Sequence, residues 1–134
     1  MGNETIKGNF AVQDLYELAN EMSQKHWGID YTDNIELVDD DWIQQNAVFI
    51  YDRKTRERTI QMSAKRNAGR SKDAVLKSLL HELVHWRLHS TGKPCRDEDP
   101  EFIEECLRVG ASISLAKKAQ LALEQFLMKE KTIG

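Results

Sequence analysis

The stretch Lys72-Asp73-Ala74-Val75-Leu76-Lys77-Ser78-Leu79-Leu80-His81-Glu82-Leu83-Val84-His85-Trp86-Arg87-Leu88-His89 decides how the rest of the chain is read. Val75, Leu76, Leu79, Leu80, Leu83, Val84 and Trp86 cover well over half of a helical wheel, which predicts a largely buried helix. Polar residues run through it. His81 and His85 are four apart, so they lie on one face about a turn from each other and can share a metal ion. Ala74, Ser78, His81 and His85 form a narrow stripe beside the apolar arc, and the small side chains at 74 and 78 leave room for a ligand to approach. Glu82 projects roughly a quarter-turn from His81 and borders the same cleft. Its carboxylate can therefore take a proton from a water at the metal without being a ligand itself. The plainer alternative is a buried histidine pair satisfying hydrogen bonds, with Glu82 as a surface charge.

The pattern suits one Zn²⁺ per chain, which takes imidazole and carboxylate ligands and needs a third protein group in a catalytic site. His89 cannot join His81 on the same ion, because eight residues of helix separate them by ~12 Å along the axis. It reads as a bystander or an outer partner, and His26 as a residue at the end of an earlier helix. No histidine follows His89. A downstream third ligand is then a carboxylate or a sulfur, and the acid-rich segment Cys95-Arg96-Asp97-Glu98-Asp99-Pro100-Glu101-Phe102 is its source. The same acids are suited to capping a helix that begins near Pro100.

Working outward, Val12, Leu15, Tyr16, Ala19 and Met22 mark one face of a helix over about 11–25, with Asn9 and Gly28 as its start and stop signals. Ile35–Val38, Ala47–Tyr51 and Arg58–Ser63 are short runs rich in β-branched and aromatic residues, with Asp52–Thr55 as a hairpin tip. After the central helix, Ser90–Asp99 reads as a loop, Pro100 to Gly110 as a helix, and about 112–129 as a last helix marked by Leu115, Ala119, Ala122, Leu123, Phe126 and Leu127. Helix, strands, then helices predict an α+β fold with a small three-stranded antiparallel or mixed sheet.

The 134 residues, 40% apolar and 31% charged, suit one soluble domain, and the only prolines, Pro94 and Pro100, share one loop. No run approaches the ~18 apolar residues of a membrane span. The N-terminus does not read as a signal peptide, and Ile6 stands where a myristoylation site has Ser or Thr. Two cysteines, Cys95 and Cys106, are too few for a disulfide scaffold, which fits a cytoplasmic location. The net charge of −3 hides segregation: residues 1–52 hold eleven acids against Lys7 and Lys25. Residues 53–72 hold Arg53, Lys54, Arg56, Arg58, Lys65, Arg66, Arg70 and Lys72 against Glu57 alone. Such a block is either a footprint for nucleic acid or an acidic partner, or a solvated face.

From about Asn34 to Ser112 the chain resembles the SprT-like metalloprotease family, which includes the Spartan proteases. The resemblance is carried by the strand ending Ile60-Gln61-Met62-Ser63, by Leu79-Leu80-His81-Glu82-Leu83-Val84-His85, by Asp99-Pro100-Glu101-Phe102 and by Gly110. It implies a zincin-like single domain, with 112–130 as a C-terminal helix, and a protease acting on protein, in some members on protein crosslinked to DNA. Family members carry a later His-Gly-x-x-Phe-like motif whose histidine is the third zinc ligand. Here Glu98 stands at that position and Asp99 at the glycine; a loop shifted by one residue puts Asp97 there instead.

The leading reading is thus a zinc endopeptidase with His81, His85 and Glu98 or Asp97 as ligands and Glu82 as base. Thr59, Ile60, Gln61 and Met62 are expected to offer a strand edge to the substrate backbone. A zinc-stabilised domain binding nucleic acid or a partner through the basic block, and a metal-free helical interaction protein, are the rivals.

Overall fold

The computed structural model describes residues 10–42 and 45–133, so the Asn9 start signal and the N-terminal readings lie outside the described residues. It is an α+β structure. Five helices and three strands occur among the described residues: α1 (Val12–Trp27), β1 (Asn34–Val38), β2 (Ala47–Tyr51), β3 (Arg58–Ser63), α2 (Ala64–Ala68), α3 (Lys72–Ser90), α4 (Pro100–Val109) and α5 (Lys117–Ile133). None of the helices is long and apolar enough to cross a membrane. The chain divides into two compact units at Leu83/Val84, inside α3.

In the first unit, α1 opens with the Ala11 N–H donated to the Asp14 carboxylate at 3.1 Å, half of a capping box, since Ala11 has no side-chain acceptor to reciprocate. It ends at Gly28, whose φ of 69° is the left-handed conformation a side chain would resist. Polar side chains tie α1 to β1 and to the residues before it: Asn20 Oδ1 accepts from the Tyr31 N–H at 3.0 Å, and the Tyr16 hydroxyl accepts from the Ile35 N–H at 2.8 Å. Tyr31 donates its own hydroxyl to the Asn34 carbonyl at 2.7 Å, and burial, with Asp33 nearby, pushes its phenol well above the usual range.

The sheet order is β1-β3-β2. β3 pairs antiparallel with β2, with Gln61 opposite Val48, and parallel with β1, with Gln61 opposite Glu36. The Asp52–Thr55 tip is as expected from sequence. Asp52 Oδ1 accepts from the Lys54 and Thr55 N–H groups at 2.8 and 3.3 Å, and Arg56 takes a positive φ of 64°. The order corrects one expectation. Thr59, Ile60, Gln61 and Met62 offer no free edge, because a neighbour on each side already takes β3's backbone hydrogen bonds; the outer edges belong to β1 and β2. Ile60 and Met62 are buried in the middle of the sheet.

The short α2 was not anticipated. Ser63 Oγ caps it by accepting from the Arg66 N–H at 3.1 Å. Buried Asn67 then donates to the Ser63 and Asn46 carbonyls at 2.7 and 3.0 Å. The first half of α3 contributes buried Val75, Leu79, Leu80 and Leu83.

In the second unit, the rest of α3 buries Val84, Trp86 and Leu88, and α4 buries Phe102, Ile103, Cys106 and Val109. Pro100 occupies the first turn of α4, and Gly110 stops it at a φ of 83°. The expected last helix begins later than Ser112: Ser114 Oγ accepts the Ala116 N–H at 3.1 Å, and the regular helix starts at Lys117. α4 packs on α5, where Ala119 is buried. Among the described residues neither Cys95 nor Cys106 is in a disulfide.

Two stability measurements probe this account. Ser23 of α1 is fully buried, and its hydroxyl is the one buried side-chain polar atom among the described residues without a hydrogen bond. Ser23→Ala should therefore stabilise the protein by about 1 kcal/mol in urea unfolding, since an unsatisfied group costs ~1–3 kcal/mol. In contrast, Gln61→Pro should unfold the sheet, because each N–H of a central strand is committed to a neighbour. A near-native far-UV spectrum and melting point for Gln61→Pro would contradict the central placement of β3.

Candidate metal centre

The α3 spacing does what the sequence suggested. His81 and His85 sit one turn apart on a continuous helix; His81 and Glu82 are buried, at 8% and 6% exposure, and His85 is half-buried. Two imidazoles and a carboxylate at this depth are costly to bury unless hydrogen bonds or a bound cation satisfy them.

The loop after α3 supplies what His85 needs. Its Nδ1 lies 2.5 Å from the Cys95 carbonyl oxygen, and its Nε2 lies 3.0 Å from Asp97 Oδ1. The ring is stacked on buried Phe102, with centroids 4.1 Å apart and planes 23° apart. Arg96–Asp99 forms a turn closed twice: the Asp99 N–H donates to the Arg96 carbonyl at 3.0 Å, and Asp99 Oδ2 accepts from the Arg96 N–H at 2.9 Å. Asp97 and Glu98 are the two central residues of that turn, where adjacent side chains diverge. Asp97 is the one that faces His85.

One ligand atom each from His81, His85 and Asp97 lie within 4.8 Å of one another. The donor chemistry fits a divalent cation. A carbonyl oxygen can only accept, so His85 Nδ1 must carry the proton. In the neutral ring Nε2 is then a lone pair aimed at a carboxylate oxygen, two acceptors facing each other across 3.0 Å. A cation resolves that conflict, either a second proton on the ring or a metal between Nε2 and Asp97. An Nδ1–H donated to a backbone carbonyl is also the outer contact that fixes a metal-ligating imidazole. Two histidines and one carboxylate make an accepted zinc set, and with Asp97 40% exposed at its side chain the site is open to solvent on one side.

The structure thus brings together His81, His85 and Asp97, with Glu82 beside them on α3, and leaves Glu98 outside the group. Asp99 occupies the N-cap position of α4, but its carboxylate closes the turn onto Arg96 instead of capping the helix. His89 is half-buried and not part of the group; His26 lies in the last turn of α1, edge-on to Trp27. The Cys95 carbonyl was missed, because a backbone acceptor carries no sequence signature.

The basic block is dispersed. Arg58 lies 3.8 Å from Asp33 and over the Tyr51 ring, and Lys65 pairs with Asp41 at 2.7 Å. Arg66 donates to Asn46 Oδ1 at 2.8 Å and to the Trp42 carbonyl at 3.4 Å. Arg70 donates to Asn67 Oδ1, Ser78 Oγ and the Ala74 carbonyl. Arg53, Lys54 and Arg56 are exposed at the β2–β3 tip.

No protein-family model matches the chain. Proteins named "Protein SprT-like" from Staphylococcus aureus strains JH9, Newman and N315 are each 38% identical to it over 52 residues, which is 39% of this chain and 34% of the relative. The similarity thus spans about a third of the length of those curated relatives. It is partial on both sides and points to the same family as the motif resemblance.

Zinc titration of metal-free protein tests the ligand assignment. Removing a ligand should cost more than the roughly 10–100-fold lost with an outer-shell partner. Asp97→Ala and His85→Ala should therefore abolish stoichiometric zinc binding, and Glu98→Ala should leave it intact. The reverse ranking of the two acids would place the third ligand at Glu98.

Proposed function

We propose that this chain is a zinc-dependent endopeptidase with His81, His85 and Asp97 as metal ligands and Glu82 as general base. The observation that carries the reading is the convergence of His81, His85 and Asp97, with His85 Nδ1 held on the Cys95 carbonyl. The partial SprT-like similarity supports it, as does the order of three strands, then α3 with its histidine pair, then the loop that carries Asp97. Bound at this site, zinc would supply a Lewis acid that polarises a peptide carbonyl and lowers the pKa of an attacking water.

The chain's own residues do the rest. Glu82, one residue past His81 and turned about 100° from it around α3, is placed to accept the proton of the attacking water. Its burial in a largely apolar helix keeps that carboxylate away from bulk water, and it returns the proton to the leaving amine. Phe102 and the Cys95 carbonyl fix the His85 ring so that Nε2 keeps one direction. The exposed cationic tip at Arg53, Lys54 and Arg56 gives DNA a point of contact, which favours protein substrates associated with DNA, inside the cell. That tip also suits the second reading, a zinc-stabilised domain that binds nucleic acid without cleaving anything.

Glu82→Gln separates the two. The peptidase reading expects unchanged zinc content and a loss of casein hydrolysis of about 10²–10⁴-fold, the usual contribution of a positioned base. Equal activity in wild type and Glu82→Gln, or none in zinc-loaded wild type, would move the assignment to the binding domain.

A further inference from the structure

Arg70 lies between α2 and α3, half-buried, and its guanidinium is held by three neutral acceptors. Nη1 donates to Asn67 Oδ1 at 2.7 Å and to Ser78 Oγ at 3.0 Å, and Nη2 donates to the Ala74 carbonyl at 3.3 Å. Among the described residues no carboxylate pairs with it. Three of its five N–H groups are used in these bonds, which leaves the Nε–H and one Nη2–H as donors. The site disfavours the charge it carries: burial and the neighbouring Arg66 both pull the Arg70 pKa down. An unbalanced guanidinium held rigidly by neutral groups gains from an incoming anion more than a flexible surface lysine does.

Its position connects this charge with the metal group. Ala74 and Ser78 belong to the same stripe of α3 as His81 and His85. Ser78 precedes His81 by three residues and Ala74 by seven, so the guanidinium contacts α3 about 5–10 Å along the axis from His81. An extended peptide advances ~3.4 Å per residue, so that distance is two to three residues of substrate.

We propose that Arg70 is a specificity-determining residue, binding a carboxylate of the peptide substrate two to three residues from the scissile bond. This rests on the peptidase reading of the metal centre. The carboxylate is either an Asp or Glu side chain or a free C-terminus; both present the same planar pair of oxygens, which a guanidinium holds through two hydrogen bonds.

The test uses the full chain, zinc-loaded and carrying Glu82→Gln so that peptides stay intact, with binding read by calorimetry. Peptides differ only by Glu or Gln at each position from one to four residues on either side of the intended scissile bond. A parallel pair differs only by a C-terminal acid or amide. The expected result is about tenfold tighter binding of the acid at one position, the scale of a charge-assisted hydrogen bond. The position identifies an internal side chain, and a preference confined to the acid/amide pair identifies the C-terminus. Arg70→Met should bring the acid-to-amide ratio to one, and Arg70→Lys should restore part of it; a purely structural role would weaken both peptides alike. Binding of peptides with no acid preference at any position overturns the proposal and leaves the peptidase reading intact. Failure of every peptide to bind zinc-loaded protein overturns the proposal, and the peptidase reading falls with it only if zinc-loaded wild type also leaves casein intact. Casein hydrolysis by wild type, run beside it, shows whether the peptidase reading stands on its own.

Discussion

A neutral imidazole has one donor and one acceptor, and at His85 the surroundings decide which is which. The Cys95 carbonyl, 2.5 Å from Nδ1, accepts only, so the proton is fixed there. Everything on the other side of the ring follows: Nε2 must meet Asp97 Oδ1 at 3.0 Å as a lone pair or as a second N–H. The turn that presents Asp97 is closed on both its backbone and its Asp99 side chain, and Phe102 lies flat against the ring. The imidazole has little freedom to escape the conflict by rotating. A small loop, built from hydrogen bonds that cost little to form, thereby holds open a position that a cation satisfies.

That position has to be reached from a helix that would otherwise be simple core. Val75, Leu79, Leu80, Leu83, Val84, Trp86 and Leu88 bury nearly every direction of α3. Burying His81 and Glu82 among them runs against the ordinary preference of such residues for water. An apolar replacement would remove the cost and make a conventional core helix. The polar pair is tolerated because His81 sits on the one stripe where Ala74 and Ser78 are small, and where the Arg70 side chain hydrogen-bonds to both, with Glu82 at its border.

The sequence was most legible where structure is local. The three strands fall where short runs rich in β-branched and aromatic residues end in polar turns, and the Asp52 side chain makes the turn that its position suggests. α4 begins at Pro100 and stops at Gly110, both residues acting through their own backbone torsions. What was not legible depends on partners far along the chain. β3 lies at the centre of the sheet because β1 returns to it in parallel from the opposite side to β2, and no residue in β3 announces a second neighbour. Helix α2 owes its turn to Asn67, which reaches back to the Asn46 and Ser63 carbonyls. The basic block looked continuous because sequence does not show that Arg66 and Arg70 turn towards Asn46, Asn67 and Ser78.

The choice between Asp97 and Glu98 shows where pattern gives way to geometry. Counting back from Phe102 favours Glu98, because motif spacing treats the chain as a ruler. The Arg96–Asp99 turn breaks that ruler: at its two central positions neighbouring side chains diverge, and only one can face His85. The shorter acid then has an advantage, since Asp has one fewer rotatable bond to fix and its turn already places it. Charge completes the argument. Two neutral imidazoles with Asp97 and Glu82 as carboxylates would balance a dication, so a loaded centre would be formally neutral on a helix that buries most of its surface. Arg70, on the same stripe with no carboxylate of its own among the described residues, is the charge left unbalanced.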